Sequence, residues 1–453
     1  MKLAVALAAA FISARAGSAT GPSTPPLPPG PGIGGPLRRA LTVAAVVILA
    51  ACGGDSDPIR VRPDTNGSIR GTVTDNTGAA VANAAVALTG NAQAARTTNS
   101  GADGVYTFAD VPPGTYTLAV TPPTGFTIGA AGTTSVTVAG GAQANAPAIV
   151  LNRVAVDPGE WGLRAPLLEP NSELAFAELN GKLYLLGGYP ASRQTVRTVQ
   201  IYDIENDGWQ FGPPLPQPNN HGMAVSVNGK IYLIGGQTTA DDPSYVNTVY
   251  ELDPATGEWV TKAPMPTARS SGVAVVHDGK IYVAGGRPPR GHDFAVYDPA
   301  TDTWEVLPDL PTQRNHLTGA AINGRIHVVG GRLGPGLSPE MTTAHEVFDP
   351  QTRTWTTAAP MPRARSGMNG VMARGCFHVW GGEGPAGMFP DHDYYDPQAD
   401  GWRRLPDMRI PVHGVYGSAF VDGLIWVAGG GTDIGGNHGS LHNQVYRPAV
   451  SCE

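Results

Sequence analysis

Three positions recur along residues 153–453 with side chains that can bind an anion or move a proton. The first carries Glu173, His221, Ser271 and His316, then Gly367 and Val415 in its last two copies. The second carries Tyr189, Gln237, Arg287, Arg332 and Glu383, then Gly431. The third carries Asn171, Asn219, Arg269, Arg314, Arg365 and His413. Guanidinium groups grip carboxylates with paired N–H donors. Glu and His act as acid and base when held within reach of a substrate proton. Amide, phenol and alcohol side chains hydrogen-bond to hydroxyls. Together the set suits a carbohydrate, an acidic small molecule or a peptide, with Arg287, Arg332 and Arg269 as carboxylate grips.

Other chemistries find less support. The net charge of −7 argues against nucleic acid, because phosphate binding needs a basic face. His438 and His442 stand four apart, a spacing that suits a metal on a helix, but they lie in a Gly-rich run. The run Asp203-Ile-Glu-Asn-Asp207-Gly208 resembles a calcium loop, yet Pro214 stands where the twelfth-position glutamate belongs. There is no nucleophile elbow. The sequence predicts no cofactor and no metal.

These positions need a scaffold that repeats. Gly-Gly pairs begin at Gly187, Gly235, Gly285, Gly330, Gly381 and Gly429, each after a short apolar run such as Lys230-Ile-Tyr-Leu-Ile234. Trp161, Trp209, Trp259, Trp304, Trp355 and Trp402 run in phase, as do Tyr202, Tyr250, Tyr297, Phe348, Tyr395 and Tyr446. Paired glycines let a strand end turn sharply and approach its neighbour. The aromatics supply plates for packing one unit on the next. A period near 50 residues with such markers signals a propeller of four-stranded units.

The markers resemble the kelch motif. That resemblance implies a six-bladed kelch β-propeller over residues 153–453, with ligands gathering at one mouth of the central channel. On it, the mouth residues are Glu173, Tyr189, His221, Gln237, Arg269, Ser271, Arg287, Arg314, His316, Arg332, Arg365, Glu383 and His413. Trp161 has no Gly-Gly before it, and the last repeat ends without its Trp strand. The strand at Trp161 is therefore expected to complete the last blade beside Tyr446, which removes exposed edges.

Residues 67–152 show short alternating runs, at Ile69–Val73, Val86–Leu88, Val105–Phe108, Tyr116–Val120 and Ser135–Val138. Turn residues separate them, as in Asp103-Gly104 and Pro112-Pro113-Gly114. Such a pattern predicts a sandwich. The order of these motifs resembles the carboxypeptidase regulatory-like domain, a prealbumin-type β-sandwich found as a spacer or adhesive module. The fold class expected is thus all-β, a small β-sandwich followed by the propeller.

Arg38 and Arg39 precede an apolar run that ends in Leu49-Ala50-Ala51-Cys52. This is the pattern of an export signal, too short to span a membrane. Its end resembles the bacterial lipobox, which implies a lipid on Cys52 and attachment to the cell envelope, at the outer membrane of a two-membrane cell. Residues 1–52 are then the signal, with 1–37 a candidate mis-assigned start, and 53–66 a polar tether. Cys376 and Cys452 are left; a disulfide, a buried thiol and a loose tail are the alternatives.

Two functions follow. The first is an anchored binding or interaction protein that presents the propeller to a sugar, peptide or protein. The second is an enzyme similar to periplasmic kelch-type sugar-acid epimerases or mutarotases. It would use Glu173 or Glu383 with His221 or His316 as acid and base, and Arg as clamp. An enzyme requires Glu or His beside Arg inside a concavity.

Overall fold

A computed structural model describes residues 65–453 apart from 77, 92, 93, 124, 130, 131, 155, 156, 241, 242 and 337. Cys52, the expected export signal and most of the expected tether lie outside these residues. Every element among the described residues is a β-strand.

The sandwich packs two sheets. One runs Val105–Val111, Gly67–Asp75, Ile149–Arg153 and Phe126–Ile128, with Gln143–Asn145 beside Gly67–Asp75. The other runs Arg96–Asn99, Ala85–Thr89, Gly114–Thr121 and Thr133–Val138. Alternate residues point inward, as strand geometry requires. Ile69, Val73, Val86, Leu88, Tyr106, Phe108, Tyr116 and Leu118 make one core. The strand Ile149–Arg153 carries the chain out of the sandwich. Arg153 pairs with Asp75 at 2.9 Å and also donates to the carbonyl of Glu205 in the propeller.

Six sheets follow, five of four strands and one, that of blade one, with Val415–Tyr416 as a fifth. Blade one comprises Leu174–Leu179, Lys182–Leu186, Val199–Asp203 and Gly208–Phe211. Blades two to five repeat this pattern with inner strands Met223–Val227, Val273–His277, Thr318–Ile322 and Asn369–Ala373. Blade six uses Ala419–Val421, Leu424–Ala428 and Asn443–Tyr446, and takes Trp161–Leu163 as its outer strand. Trp161 pairs opposite Tyr446, so the first propeller strand closes the last blade as its sequence phase predicts.

The marker residues lock blade to blade. The indole N–H of each marker Trp donates to a carbonyl in the linker before it: Trp209 to Ala165, Trp259 to Pro213, Trp304 to Ala263, Trp355 to Pro308 and Trp402 to Ala359. Trp161 does the same to Pro406 across the closure. In blades one, three and five the Tyr hydroxyl donates to an Asp five residues on, and that carboxylate accepts the amide of Ala165, Ala263 or Ala359. Cys376 and Cys452 form a disulfide, with Cα atoms 5.1 Å apart, that ties the chain end to blade five.

Blades four and five each bury a histidine pair. His327 and His345 approach at 2.8 Å, and His378 and His392 at 3.0 Å, among Tyr395, Trp402, Trp161 and Tyr446. Burial pushes His327 down to about 3, and His345 and His378 to about 4, with His392 well below its usual value. The folded state therefore refuses protons that the unfolded state takes up below about pH 6.5. Stability is full above that pH and falls as pH drops toward 4. The slope is about 1.4 kcal/mol per pH unit for each histidine held neutral. Urea midpoints measured from pH 7.5 to 4.5 should fall steadily; a flat curve would contradict these neutral pairs.

Candidate functional site

The blades meet at the axis through a ring of main-chain hydrogen bonds. His221 N–H donates to Glu173 C=O (2.9 Å), Ser271 to His221 (2.9 Å), His316 to Ser271 (2.7 Å), Gly367 to His316 (2.8 Å) and Gly414 to Gly367 (3.1 Å). Leu174 N–H closes the circle on Gly414 C=O at 3.2 Å. Every ring residue is left-handed: φ is 52°, 51°, 56° and 55° at Glu173, His221, Ser271 and His316, and 65° and 68° at Gly367 and Gly414. Only glycine adopts this region freely, and other residues pay of order 1 kcal/mol or more for it. In blade six the ring member is Gly414, one residue before the expected Val415, which instead pairs with Leu174 of blade one.

Side chains from all six blades converge on this ring, and nearly all are buried. Glu173 Oε2 lies 3.1 Å from His221 Nε2 and accepts the Tyr416 hydroxyl at 2.9 Å. Glu173 Oε1 lies 3.1 Å from His413 Nε2. Arg332 donates to Glu383 and to His316 Nε2, each at 2.7 Å. Arg287 donates to His221 Nε2 at 3.1 Å and to Ser271 at 3.3 Å. The imidazoles of His221 and His316 stand 5.3 Å apart.

Neighbouring asparagines fix both imidazoles. Asn220 Nδ2 donates to Thr195 Oγ1 (2.8 Å) and the carbonyl of Thr239 (2.9 Å). Its Oδ1 therefore faces the Tyr189 hydroxyl (3.0 Å) and His221 Nδ1 (2.5 Å). Asn315 Nδ2 donates to the carbonyl of Gly334 (3.0 Å), and its Oδ1 faces His316 Nδ1 (2.5 Å). An amide oxygen only accepts, so both Nδ1 atoms carry hydrogen. When the rings are neutral, each Nε2 presents a lone pair to the axis. Burial, with the nearby guanidiniums, holds His316 well below its usual range and His221 at about 3, although Glu173 opposes the shift at His221. His413 differs: burial would lower it, but Glu173 and Glu383 raise it on balance. Burial would raise Glu173, yet His221, His413 and Tyr416 hold it below the carboxylate range. Burial and Glu173 push Tyr416 well up.

A short hairpin, Gly431–Asp433 with Asn437–Gly439, covers the cluster. Gly435 N–H donates to Glu383 Oε2 (2.7 Å), Gly436 N–H to His413 Nε2 (3.0 Å), and Ser172 Oγ to Gly436 C=O (3.0 Å). About 20 Å³ remains open beside Arg332, Glu383 and Ile434. Along the inner strands runs a channel of about 410 Å³, lined mostly by small and apolar residues and reaching Tyr416.

Of the thirteen mouth residues expected from sequence, Glu173, His221, Ser271, Arg287, His316, Arg332, Glu383 and His413 come together. Tyr189 braces Asn220, and Gln237 accepts from Ser270 Oγ at 3.3 Å to one side. Arg269, Arg314 and Arg365 do not line the mouth. Their side chains are fully buried in the blades and donate to the carbonyls of Val283, Val328 and Val379. Arg314 also pairs with Glu346, and Arg365 with Asp393 at 2.9 Å. Arg269 is therefore no carboxylate grip. Tyr416 is the residue that spacing missed. Its signal was being the one aromatic two residues after a ring residue, where the other blades have Ala175, Met223, Val273, Thr318 and Asn369.

A propeller with a polar ring across its axis is the class these features define. Residues 165–331 match the KLHDC2/KLHL20/DRC7 Kelch-repeats domain, residues 313–362 the Kelch motif, and residues 68–152 the carboxypeptidase regulatory-like domain. The chain thus carries kelch repeats behind a carboxypeptidase regulatory-like domain. It is 34% identical over 93 residues to Kelch-like protein terF of Aspergillus terreus, covering 19% of this chain and 20% of the relative. It is 43% identical over 51 residues to Kelch-like protein 36 of Bos taurus, covering 11% of this chain and 8% of the relative. The chain therefore matches a fifth or less of the length of these relatives. A solved structure described as "Structure of YjhT" superposes with a TM-score of 0.52 at 18% identity, covering 62% of this chain and 96% of the other. That likeness concerns the fold alone.

Two classes of arginine give a test. Removing Arg314 leaves Glu346 buried without its counter-charge, held only by Thr312, which should cost about 3–5 kcal/mol. Arg287 is partly exposed, and Arg287→Ala should cost much less. Urea unfolding of both variants measures the difference, and equal losses would refute the distinction.

Proposed function

We propose that the chain is an exported binding protein, held to the cell envelope by lipid on Cys52, whose propeller mouth takes a small hydroxylated carboxylate of the sugar-acid type. The observation that carries the ligand is the placing of Arg287 and Arg332 on either side of Ser271 and His316, beside Tyr416, Glu173 and His413. Two guanidiniums supply charge-assisted donors for a carboxylate. The acid, imidazole and phenol groups hydrogen-bond to hydroxyls. A ligand must displace the hairpin turn at Ile434–Gly436 to reach them. The disulfide supports export, since such bonds persist in oxidising compartments.

One observation favours a second reading, a proton-transfer enzyme acting on the same ligand class. Glu383 is within 3.5 Å of His413 Nε2 and 2.7 Å of Arg332, all buried. This is an acid–base pair beside a clamp, the arrangement that such catalysis needs.

Calorimetry on the mature chain with galacturonate and with galactose tests the binding reading. Galacturonate should bind the better, and joint replacement of Arg287 and Arg332 by Ala should weaken it by about tenfold or more. Equal affinity for acid and neutral sugar, or none for either, would overturn it. Following the anomer and epimer composition of galacturonate by NMR tests turnover, which Glu383→Gln should abolish. For the anchor, the Cys52→Ser variant should move from the detergent to the aqueous phase in Triton X-114 partitioning. Wild-type protein already in the aqueous phase would end the lipid proposal.

A further inference from the structure

We propose that Glu173, His221 and His316 form a binding site for one divalent transition-metal cation at the centre of the ring. One carboxylate oxygen and one ring nitrogen from each imidazole lie within 4.8 Å of one another, and all three residues are buried. Ligand atoms on a common zinc-like ion, each about 2.1 Å from it, sit roughly 3–4 Å apart, so a small contraction closes the set. The type of set, two imidazoles and a carboxylate with remaining positions open, suits borderline cations such as zinc, cobalt or ferrous iron.

The orientation of the imidazoles carries the case. A metal-binding histidine needs its far nitrogen fixed by an acceptor, so that the near nitrogen keeps its lone pair. Asn220 and Asn315 do this for His221 and His316, and both amides are pinned by their own donors. The same Asn-His dipeptide thus occurs in blades two and four with the same geometry. The consequence at His221 is a lone-pair nitrogen 3.1 Å from a carboxylate oxygen. Two acceptors at that distance repel unless positive charge stands beside them. In this arrangement Arg287 donates to the nitrogen and the Tyr416 hydroxyl to the oxygen, and a cation between the two would take over that role. All three ligands also sit in left-handed backbone that costs stability, as is common where residues serve a site rather than the fold.

Two guanidiniums occupy the lone pairs in the cation-free arrangement. Arg332 can leave His316 and still hold Glu383, Ser366 and Asn315, and Arg287 still holds Ser271. Once displaced they border the open positions of the cation. There an anionic ligand would balance the added charge. The cation site does not depend on the sugar-acid reading, because it can be measured without any sugar.

The mature chain, stripped with EDTA and then exposed to Co²⁺ alone, gives the test. About one equivalent should survive gel filtration, with visible d–d absorption and a raised melting temperature. Glu173→Gln, which keeps an acceptor for Tyr416, should weaken Co²⁺ by about tenfold or more. His221→Ala with His316→Ala should abolish it. The paired His438→Ala and His442→Ala variant should retain it. Retention of no Co²⁺ by the wild type overturns the proposal. So does retention undiminished in Glu173→Gln, or lost with His438 and His442. If the double-histidine variant fails to fold, Glu173→Gln decides alone, since its fold is checked by circular dichroism.

Discussion

The main-chain ring at the axis is the constraint on which the mouth depends. Each blade passes one N–H to the carbonyl of the blade before it, so the spacing of the inner strands is set by hydrogen-bond length rather than by side-chain size. Five ring residues offer N–H to one neighbour and C=O to the other, Leu174 supplies the N–H beside Glu173, and all six ring residues leave extended geometry with positive φ. Glycine satisfies this at positions 367 and 414. At 173, 221, 271 and 316 the chain keeps a functional group there and accepts the strain.

A second constraint is the fate of buried donors and acceptors. The residue two before each expected ring position has one task in all six blades, to donate to a carbonyl at the end of its own second strand or just beyond. Asn171 and Asn219 reach Gly187 and Gly235 at 2.6 and 2.8 Å, Arg269, Arg314 and Arg365 reach Val283, Val328 and Val379, and His413 Nδ1 reaches Gly431 at 3.2 Å. Buried carbonyls must be paired, and the donors differ only in length. In blades three to five the longer side chain brings charge: burial lowers Arg269 to about 10 with Asp293 opposing the shift, and Glu346 and Asp393 pair directly with Arg314 and Arg365.

That shared task explains what could be read from the chain. Gly-Gly pairs and marker aromatics act through backbone shape and packing, which depend on residue type alone, so the repeat, closure at Trp161 and five of the nine sandwich strands were legible. Polarity did not distinguish a donor that serves a carbonyl from one that serves a ligand, so Arg269, Arg314 and Arg365 read as mouth residues. Counting in register found Glu173, His221 and His316. It failed in blade six, where the inner strand breaks at Gly417 and its first half crosses to blade one. Tyr416 enters the site through that break. Pairing of Cys376 with Cys452 was open because only the fold shows their Cα atoms to be 5.1 Å apart.

The ring is six-fold in its backbone and lopsided in its side chains, and the size pattern decides where the chemistry lies. Ser271 sits between His221 and His316; a larger residue would part their rings, which now meet at 5.3 Å. On the far side a β-carbon at Gly414 would stand 2.7 Å from the Glu173 carboxyl carbon. Gly414 thus clears the space into which Glu173 leans, Gly367 lies against His413, and Tyr416 and His413 close on the carboxylate there. Two histidines on one side and a carboxylate drawn across from the other produce an off-centre cluster from residues 48 and 95 positions apart in sequence. A local motif cannot contain such a set. A repeat protein brings it together because equal steps along the chain become neighbouring places around one axis.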